Sequence, residues 1–282
     1  MTGSEERWRR DLRWCIESPL LIDPPGEGGV DPGELELGRD EGAAGGYQAF
    51  SGHRVGYYFE SLVAHWLGDV RQVEMVAQGH QVVEGGRTLG EIDFVFRDEA
   101  GVLNHWEVAA KFFLYSEHHE VLGSHFIGPN AGDTFERKRD KLLGQQLELS
   151  RSVFPEVGRR VAFVKGRIFY HPEEQHPDEL PGTMAGNHLR GTWIRFGELD
   201  WLAAVAERFC ILEKPHWLAP ERLGHDDPRL LQAPELVGRL RAGDDRPVLL
   251  AGLAEDRDTW RETERIFVVS DDWPAGGTPP RI

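Results

Sequence analysis

The stretch Gly90–Lys111 reads GEIDFVFRDEAGVLNHWEVAAK, and it contains two runs in which apolar and polar residues alternate. Alternation with a period of two is typical of β-strands, because successive side chains point to opposite faces of a sheet. The polar run RDEAG, residues 97–101, separates the two runs and has the composition of a turn. The stretch therefore predicts two adjacent strands joined by a tight acidic turn.

Acids share one face of each predicted strand. Glu91 and Asp93 lie opposite the apolar side chains of the first strand, which are Ile92, Phe94 and Phe96. The face of the second strand that carries Glu107 also carries His105, Ala109 and Lys111. Because neighbouring strands lie about 4.8 Å apart, Asp93 and Glu107 can direct their carboxylates at one cation. Lys111 lies four residues beyond Glu107, roughly 13 Å along an extended strand, so its ammonium reaches that point only with a bent strand or a long reach.

Periodic segments on both sides of this stretch predict an α/β protein with a mixed central sheet flanked by helices. Apolar residues at helical spacing predict helices over 5–22, 54–67, 134–150, 191–209 and 233–240, and apolar runs predict strands near 70–83, 161–170, 209–212, 248–250 and 266–269. We divide the chain into an N-terminal helix and glycine-rich loop over 1–45, a core over 46–171, and a C-terminal α/β extension over 172–282 that packs on the core.

Composition excludes several classes of protein. No stretch approaches the roughly eighteen apolar residues of a membrane span, and no secretory signal is visible, so we expect a cytoplasmic protein without membrane contact. Cys15 and Cys210 lie far apart in the sequence, which argues against a zinc knuckle or a disulfide framework. The net charge of −16 argues against a surface that grips phosphates broadly.

The order of the acids resembles that of the PD-(D/E)xK nuclease superfamily, whose restriction-endonuclease-like core has a helix with a glutamate, a strand with an aspartate, a strand with E-x-K, and a helix often carrying a glutamine. Glu60, Asp93, Glu107 and Gln146 follow this order. The segments GRTLGEIDF, HWEVAAKF, GPNxxD and QLELS are similar to those of an uncharacterised bacterial family of unknown function that is assigned to that superfamily. This closer resemblance covers most of the chain.

The resemblance implies a nuclease that uses Mg²⁺, or Mn²⁺, to cleave phosphodiester bonds in DNA or RNA. It implies that Asp93, Glu107 and Glu60 hold the metal, and that Gln146 supports them. The lysine position of E-x-K is Ala109 in this chain, so Lys111 would have to act from the same face in stabilising charge on the attacked phosphate. The basic run from Arg137 to Lys141 is the first choice for a surface that meets phosphates.

Other interpretations stay open. A catalytically inactive descendant of the nuclease fold would bind nucleic acid or a protein partner, in agreement with Ala109 and the acidic balance. A metal hydrolase based on His118 and His119 is a third hypothesis, although their spacing matches no zinc pattern. Asp93 and Glu107 could also face solvent on an edge hairpin, His105 could be a hydrogen-bonded structural residue, and Gln146 could bond a loop carbonyl.

Overall fold

A mixed sheet of ten strands forms the centre of the protein, and helices flank it. This mixed sheet with flanking helices confirms the predicted α/β class. The computed structural model describes residues 3–24, 28–30, 35, 37, 46, 47 and 49–275. Most of the predicted glycine-rich loop over residues 26–46 lies outside the described residues.

The helices alternate with strands along the chain. The α-helices are α1 (Gly3–Glu17), α2 (Val55–His65), α3 (Phe135–Lys141), α4 (Ser150–Val153) and α5 (Ala233–Ala242), and one 3₁₀ helix spans Phe196–Ala204. Two π-helical turns, Trp66–Val70 and Leu142–Gln146, follow α2 and α3. The strands are β1 (Glu74–Glu84), β2 (Arg87–Arg97), β3 (Leu103–Tyr115), β4 (Phe126–Ile127), β5 (Arg159–Tyr170), β6 (Leu189–Arg195), β7 (Arg208–Ile211), β8 (Arg222–Gly224), β9 (Val248–Asp256) and β10 (Thr259–Val269).

The strands run across the sheet in the order β1-β2-β3-β5-β6-β10-β9-β7, with β4 beside β3 and β8 beside β10. Strand β6 is parallel to both β5 and β10, whereas the β1–β2, β2–β3 and β9–β10 pairs are antiparallel. Strands β2 and β3 are interior strands, so the interpretation of Asp93 and Glu107 as residues of an edge hairpin is wrong. A strand covered on both faces is buried throughout, and residues 103–107 of β3 are all buried.

The chain divides into two compact units. The first unit comprises Met1–Lys111, Arg137–Gly166 and Leu180–His188, and the second comprises Phe112–Glu136, Arg167–Glu179 and Leu189–Ile282. The candidate residues of the nuclease hypothesis all belong to the first unit; they are Glu60, Asp93, Glu107, Lys111 and Gln146. The domain boundaries at residues 45 and 171 stay a prediction.

Aromatic side chains fill the core of the first unit. Trp106 of β3 lies 5.2 Å from Phe163 of β5 and 5.5 Å from Phe96 of β2, measured between ring centroids. Phe59 of α2 stacks on Phe163 at 5.9 Å. These contacts hold α2 against the sheet, and they place the next residue of the helix, Glu60, in a half-buried position.

The N-terminal helix α1 is joined to the first unit by two buried polar contacts. The hydroxyl of Tyr58 donates to Asp11 at 2.9 Å. The ammonium of Lys165 donates to the carbonyls of Ile16, at 3.0 Å, and Ser18. Because the last carbonyls of a helix lack partners within it, Lys165 satisfies the C-terminal end of α1, and burial lowers the pKa of this lysine to about 8.

Two helices predicted from the sequence differ from the structure. The π-helical turn Leu142–Gln146 interrupts the segment 134–150, and there the Leu147 N–H donates to the Leu142 carbonyl at 3.0 Å. The segment 191–209 begins as a strand, because residues 192–195 pair with β10. Sheet pairing of Trp193 and Ile194, both favourable strand residues, outweighs the local helical spacing. No helix in the part of the chain that the structure describes is long and apolar enough to cross a membrane.

Candidate functional site

Asp93 and Glu107 lie side by side where the recorded β2–β3 pairing ends. The ladder runs from Arg97 opposite Leu103 to Phe94 opposite Trp106. At the next position the carboxylates replace backbone acceptors. Asp93 Oδ2 accepts the Val108 N–H at 2.8 Å, and Glu107 Oε1 accepts the Asp93 N–H at 3.4 Å. The two acids therefore bridge neighbouring strands through their own side chains.

Glu107 is completely buried, and neutral donors surround it. Its Oε1 atom lies 2.9 Å from His105 Nε2, and its Oε2 atom accepts the Gln146 amide at 2.8 Å. The π-helical turn Leu142–Gln146 brings this amide to β3. Gln146 thus contacts a candidate site residue, and the alternative in which it bonds a loop carbonyl has no counterpart among the hydrogen bonds of the described residues.

Behind His105 lie two residues that sequence reasoning missed. His105 Nδ1 lies 2.9 Å from the hydroxyl of Ser150, and the Arg160 Nε–H donates to the same hydroxyl at 3.0 Å. His105 and Ser150 are completely buried. Ser150 follows Gln146 by four residues, a spacing that places two side chains on one helix face. No sequence signal pointed to Arg160, which stands at the start of β5.

The acids of the site raise one another's pKa values. Burial, followed by the charge of Glu107, raises the pKa of Asp93 to about 7. Burial, with Glu91 and Glu60 adding to it, raises the pKa of Glu107 to about 8. Burial, followed by Asp93, raises the pKa of Glu60 to about 7. These shifts arise because removing several carboxylates from water favours their protonated forms. A bound cation would relieve the same repulsion.

His105 shows the opposite shift. Burial, followed by the charge of Arg160, lowers its pKa to about 4. A buried imidazole with this pKa is neutral at physiological pH. It therefore adds no positive charge beside Glu107, and it acts there as a hydrogen-bonding group.

The remaining candidates of β2 and β3 occupy different environments. Lys111 and Ala109 are half-buried and follow Glu107 on the same strand, whereas Glu91 is exposed two residues before Asp93. The Lys111 carbonyl faces Gly166 of β5 so closely that a Cβ atom on Gly166 would lie 1.8 Å from the carbonyl oxygen. A glycine at this position therefore allows β3 and β5 to approach beside the candidate lysine.

One carboxylate oxygen of Glu107 keeps a spare lone pair, although the side chain is closed to solvent. Glu107 Oε1 accepts two hydrogen bonds, but Oε2 accepts only that of Gln146 among the described residues. A carboxylate oxygen has two lone pairs, so Oε2 retains one. Within the described ranges, no group of three His, Cys, Asp or Glu side chains is already arranged around a point where a metal ion could sit. A third ligand such as Glu60 would have to turn toward the Asp93–Glu107 pair.

The histidines of the second unit hold their own loop. His119 Nδ1 lies 3.2 Å from the Ser116 hydroxyl, and His125 Nδ1 lies 2.9 Å from the Ser116 carbonyl and 3.0 Å from that of His119. All of these contacts use the Nδ1 atoms of the two rings. The polar loop and the histidine-based hydrolase both stay predictions.

A family model described as a domain of unknown function, DUF1853, matches residues 10–269. No curated protein shows a significant match to the chain. The same is true of the solved structures. The match covers most of the sequence, so the chain belongs to the DUF1853 family.

Proposed function

We propose that the protein is a divalent-metal-dependent nuclease of the PD-(D/E)xK type, with Mg²⁺ or Mn²⁺ as its metal and a cytoplasmic nucleic acid as its substrate. The observation that carries the proposal is the meeting of Asp93, Glu107 and Gln146, which come from two strands and a helical turn. The element order α2, β1, β2, β3, α3 and β5 follows the helix, strand and helix order that the resemblance implies for a restriction-endonuclease-like core.

In this proposal Asp93 and Glu107 hold the metal through carboxylate oxygens, and Glu60 completes the set. A bound Mg²⁺ ion supplies Lewis acidity to a phosphate and lowers the pKa of a bound water. Gln146 and His105 orient Glu107 through the two oxygens of its carboxylate. Lys111 stabilises negative charge that develops on the attacked phosphate.

The basic residues of α3 lie just before Gln146 in the sequence, and they are our first choice for contact with the phosphates of a substrate. Arg137, Lys138, Arg139 and Lys141 precede the π-helical turn that carries Gln146. Arg139 is paired with Asp140 at 2.6 Å, which reduces the positive charge of this helix. We therefore assign α3 a contribution to phosphate contact that is modest for a nuclease.

A second candidate function is that of a non-catalytic nuclease-fold protein that binds nucleic acid or a protein partner. Ala109 in the E-x-K lysine position favours it, as does the hydrogen-bonding of both Glu107 oxygens by protein groups. The two candidates differ in one measurable property, since only the nuclease cuts.

The test is incubation of the purified protein with single- and double-stranded DNA and RNA, with Mg²⁺, Mn²⁺ or chelator. We expect metal-dependent cutting that Asp93→Asn and Glu107→Gln each abolish, while Glu207→Gln, a change of an exposed acid in the second unit, cuts like the parent protein. Cutting that survives both site substitutions would overturn the assigned site. Calorimetric Mn²⁺ binding without cleavage of any substrate would favour the second candidate.

A further inference from the structure

An arginine and a tyrosine form an exposed pair at the start of α2. The guanidinium carbon of Arg54 lies 5.5 Å from the ring centroid of Tyr57, and 57% of Tyr57 is accessible to solvent. Tyr47 is the other exposed large aromatic of the described residues, and its ring packs against Trp8 at 6.0 Å. An arginine over a ring face is a favourable cation–π contact. Tyr57 thus presents a ring at the surface that Arg54 holds in place.

This pair is next to the candidate acids. Glu60 follows Tyr57 by three residues on the same helix, a spacing that makes their side chains neighbours about one turn apart. Glu60 in turn lies close enough to Asp93 for the charge of Asp93 to raise its pKa. A ligand that rests on Tyr57 is therefore adjacent to the acids of the first unit.

The charge of the protein indicates what kind of ligand suits such a ring. A protein that binds duplex DNA gains affinity mainly by replacing counterions with Lys and Arg, and the net charge of −16 works against this gain. Single strands depend less steeply on phosphate neutralisation than a duplex does, and stacking of bases on aromatic rings adds affinity to the electrostatic part. Stacking requires bases whose faces are free, a condition that unpaired nucleotides meet and a duplex does not.

We propose that Tyr57 and Arg54 form a stacking subsite for an unpaired base, and that the substrate class of the protein is single-stranded nucleic acid. The base stacks on the Tyr57 ring, and the N–H groups of Arg54 contact an adjacent phosphate, a pairing that the planar guanidinium favours. The assignment of a substrate rests on the proposed nuclease function. The binding subsite is separable from that function, because it needs no metal.

The experiment measures fluorescence anisotropy of a short labelled oligothymidylate and of a blunt duplex in chelator, so that binding is observed without cleavage. We expect the single strand to bind more tightly than the duplex. Tyr57→Ala should weaken single-strand binding about tenfold, the size of one lost base–aromatic stack. Tyr57→Trp should preserve binding, whereas Tyr57→Leu, which keeps apolar volume but lacks a ring, should behave like the alanine variant.

A matched control is available in the same unit. Arg71 lies 5.1 Å from the ring centroid of Trp66, but that ring is buried. Arg71→Ala removes an arginine–aromatic pair whose ring is too buried for a base to stack on it. This variant should leave single-strand binding unchanged. Circular dichroism of each variant checks that the fold is retained.

The outcomes separate this inference from the nuclease proposal. Tyr57-dependent single-strand binding by a protein that never cuts would support the subsite and refute the nuclease. Cutting that is equal on single strands and duplexes, and unaffected by Tyr57→Ala, would refute the subsite and leave the nuclease standing. Absence of any difference between single strand and duplex in binding would likewise overturn the subsite.

Discussion

The Nε2 atom of His105 lies 2.9 Å from the Oε1 atom of Glu107, and neither side chain is accessible to solvent. The other ring nitrogen meets the Ser150 hydroxyl, which also accepts a hydrogen bond from Arg160. Arg160 can only donate, and the Leu147 carbonyl is 3.5 Å from the hydroxyl. In the tautomer in which the Ser150 hydrogen donates to Nδ1, the remaining ring N–H donates to Glu107.

Replacing His105 with leucine should weaken both folding and metal binding. The change leaves a buried carboxylate oxygen without its ring donor, which costs about 1–3 kcal/mol of unfolding free energy. Loss of a partner that orients a metal ligand typically lowers metal affinity by about 10–100-fold. Thermal denaturation and Mn²⁺ calorimetry measure the two effects. His105→Gln retains an N–H donor and should recover part of the metal affinity, and an affinity that is equal in all three proteins would contradict an orienting role.

Replacing Lys111 with alanine should separate cutting from metal binding. The proposed role of Lys111 is to stabilise charge on the phosphate, and loss of such a group commonly slows catalysis by about 100-fold or more. Metal affinity should be retained, because the carboxylates are unchanged. The combined change Lys111→Ala and Ala109→Lys moves the lysine to the E-x-K position and should restore cutting if that position reaches the phosphate. Unchanged cutting by Lys111→Ala alone would remove Lys111 from the site.

The metal-free protein should lose stability as the pH rises from about 4 to about 8, and the loss should level off above that range. The folded-state pKa values of Asp93, at about 7, and Glu107, at about 8, lie above their ordinary values. A carboxyl group of this kind stabilises the folded state at low pH, and that contribution is lost as the pH rises through the folded pKa. Each proton involved changes the unfolding free energy by about 1.4 kcal/mol per pH unit.

Denaturant unfolding at a series of pH values tests this expectation. Glu107→Gln should reduce the slope, while Glu207→Gln, an exposed acid of the second unit, should keep it. His105 acts in the opposite direction below about pH 6.5, because its imidazole takes up a proton in the unfolded chain while burial keeps the folded one neutral. Identical slopes for the parent protein and Glu107→Gln would rule out a buried, proton-binding Glu107.

Gly166→Ala should destabilise the protein by at least about 3 kcal/mol, because it combines backbone strain with a steric clash. Gly166 has a φ of 153°, and its added Cβ would lie 1.8 Å from the Lys111 carbonyl oxygen. Gly238→Ala is the matched control, since Gly238 lies within α5 with nothing within 4 Å of an added Cβ. This control should stabilise the protein by about 0.5–1 kcal/mol. Thermal melts of both variants decide the matter, and a Gly166→Ala protein as stable as its parent would contradict the close approach.

The sequence by itself determined the elements on which the acids stand. Alternation over residues 90–111 predicted β2 and β3, and the apolar stripe of residues 54–67 predicted α2, because these patterns arise from the geometry of one strand or one helix. The order of Glu60, Asp93, Glu107 and Gln146 was likewise readable. The metal ligands, the roles of these residues and their nucleic-acid partner stay predictions.

Only the tertiary structure decided the surroundings of those acids. Contacts between residues far apart in sequence cannot be read from local periodicity, so Arg160 was missed and the complete burial of Glu107 could not be predicted. Packing of the π-helical turn and α4 brings Gln146 and Ser150 to the face of β3 that carries His105 and Glu107. Burial depends on how elements pack together, so the sequence pattern of one strand does not show which other elements cover it.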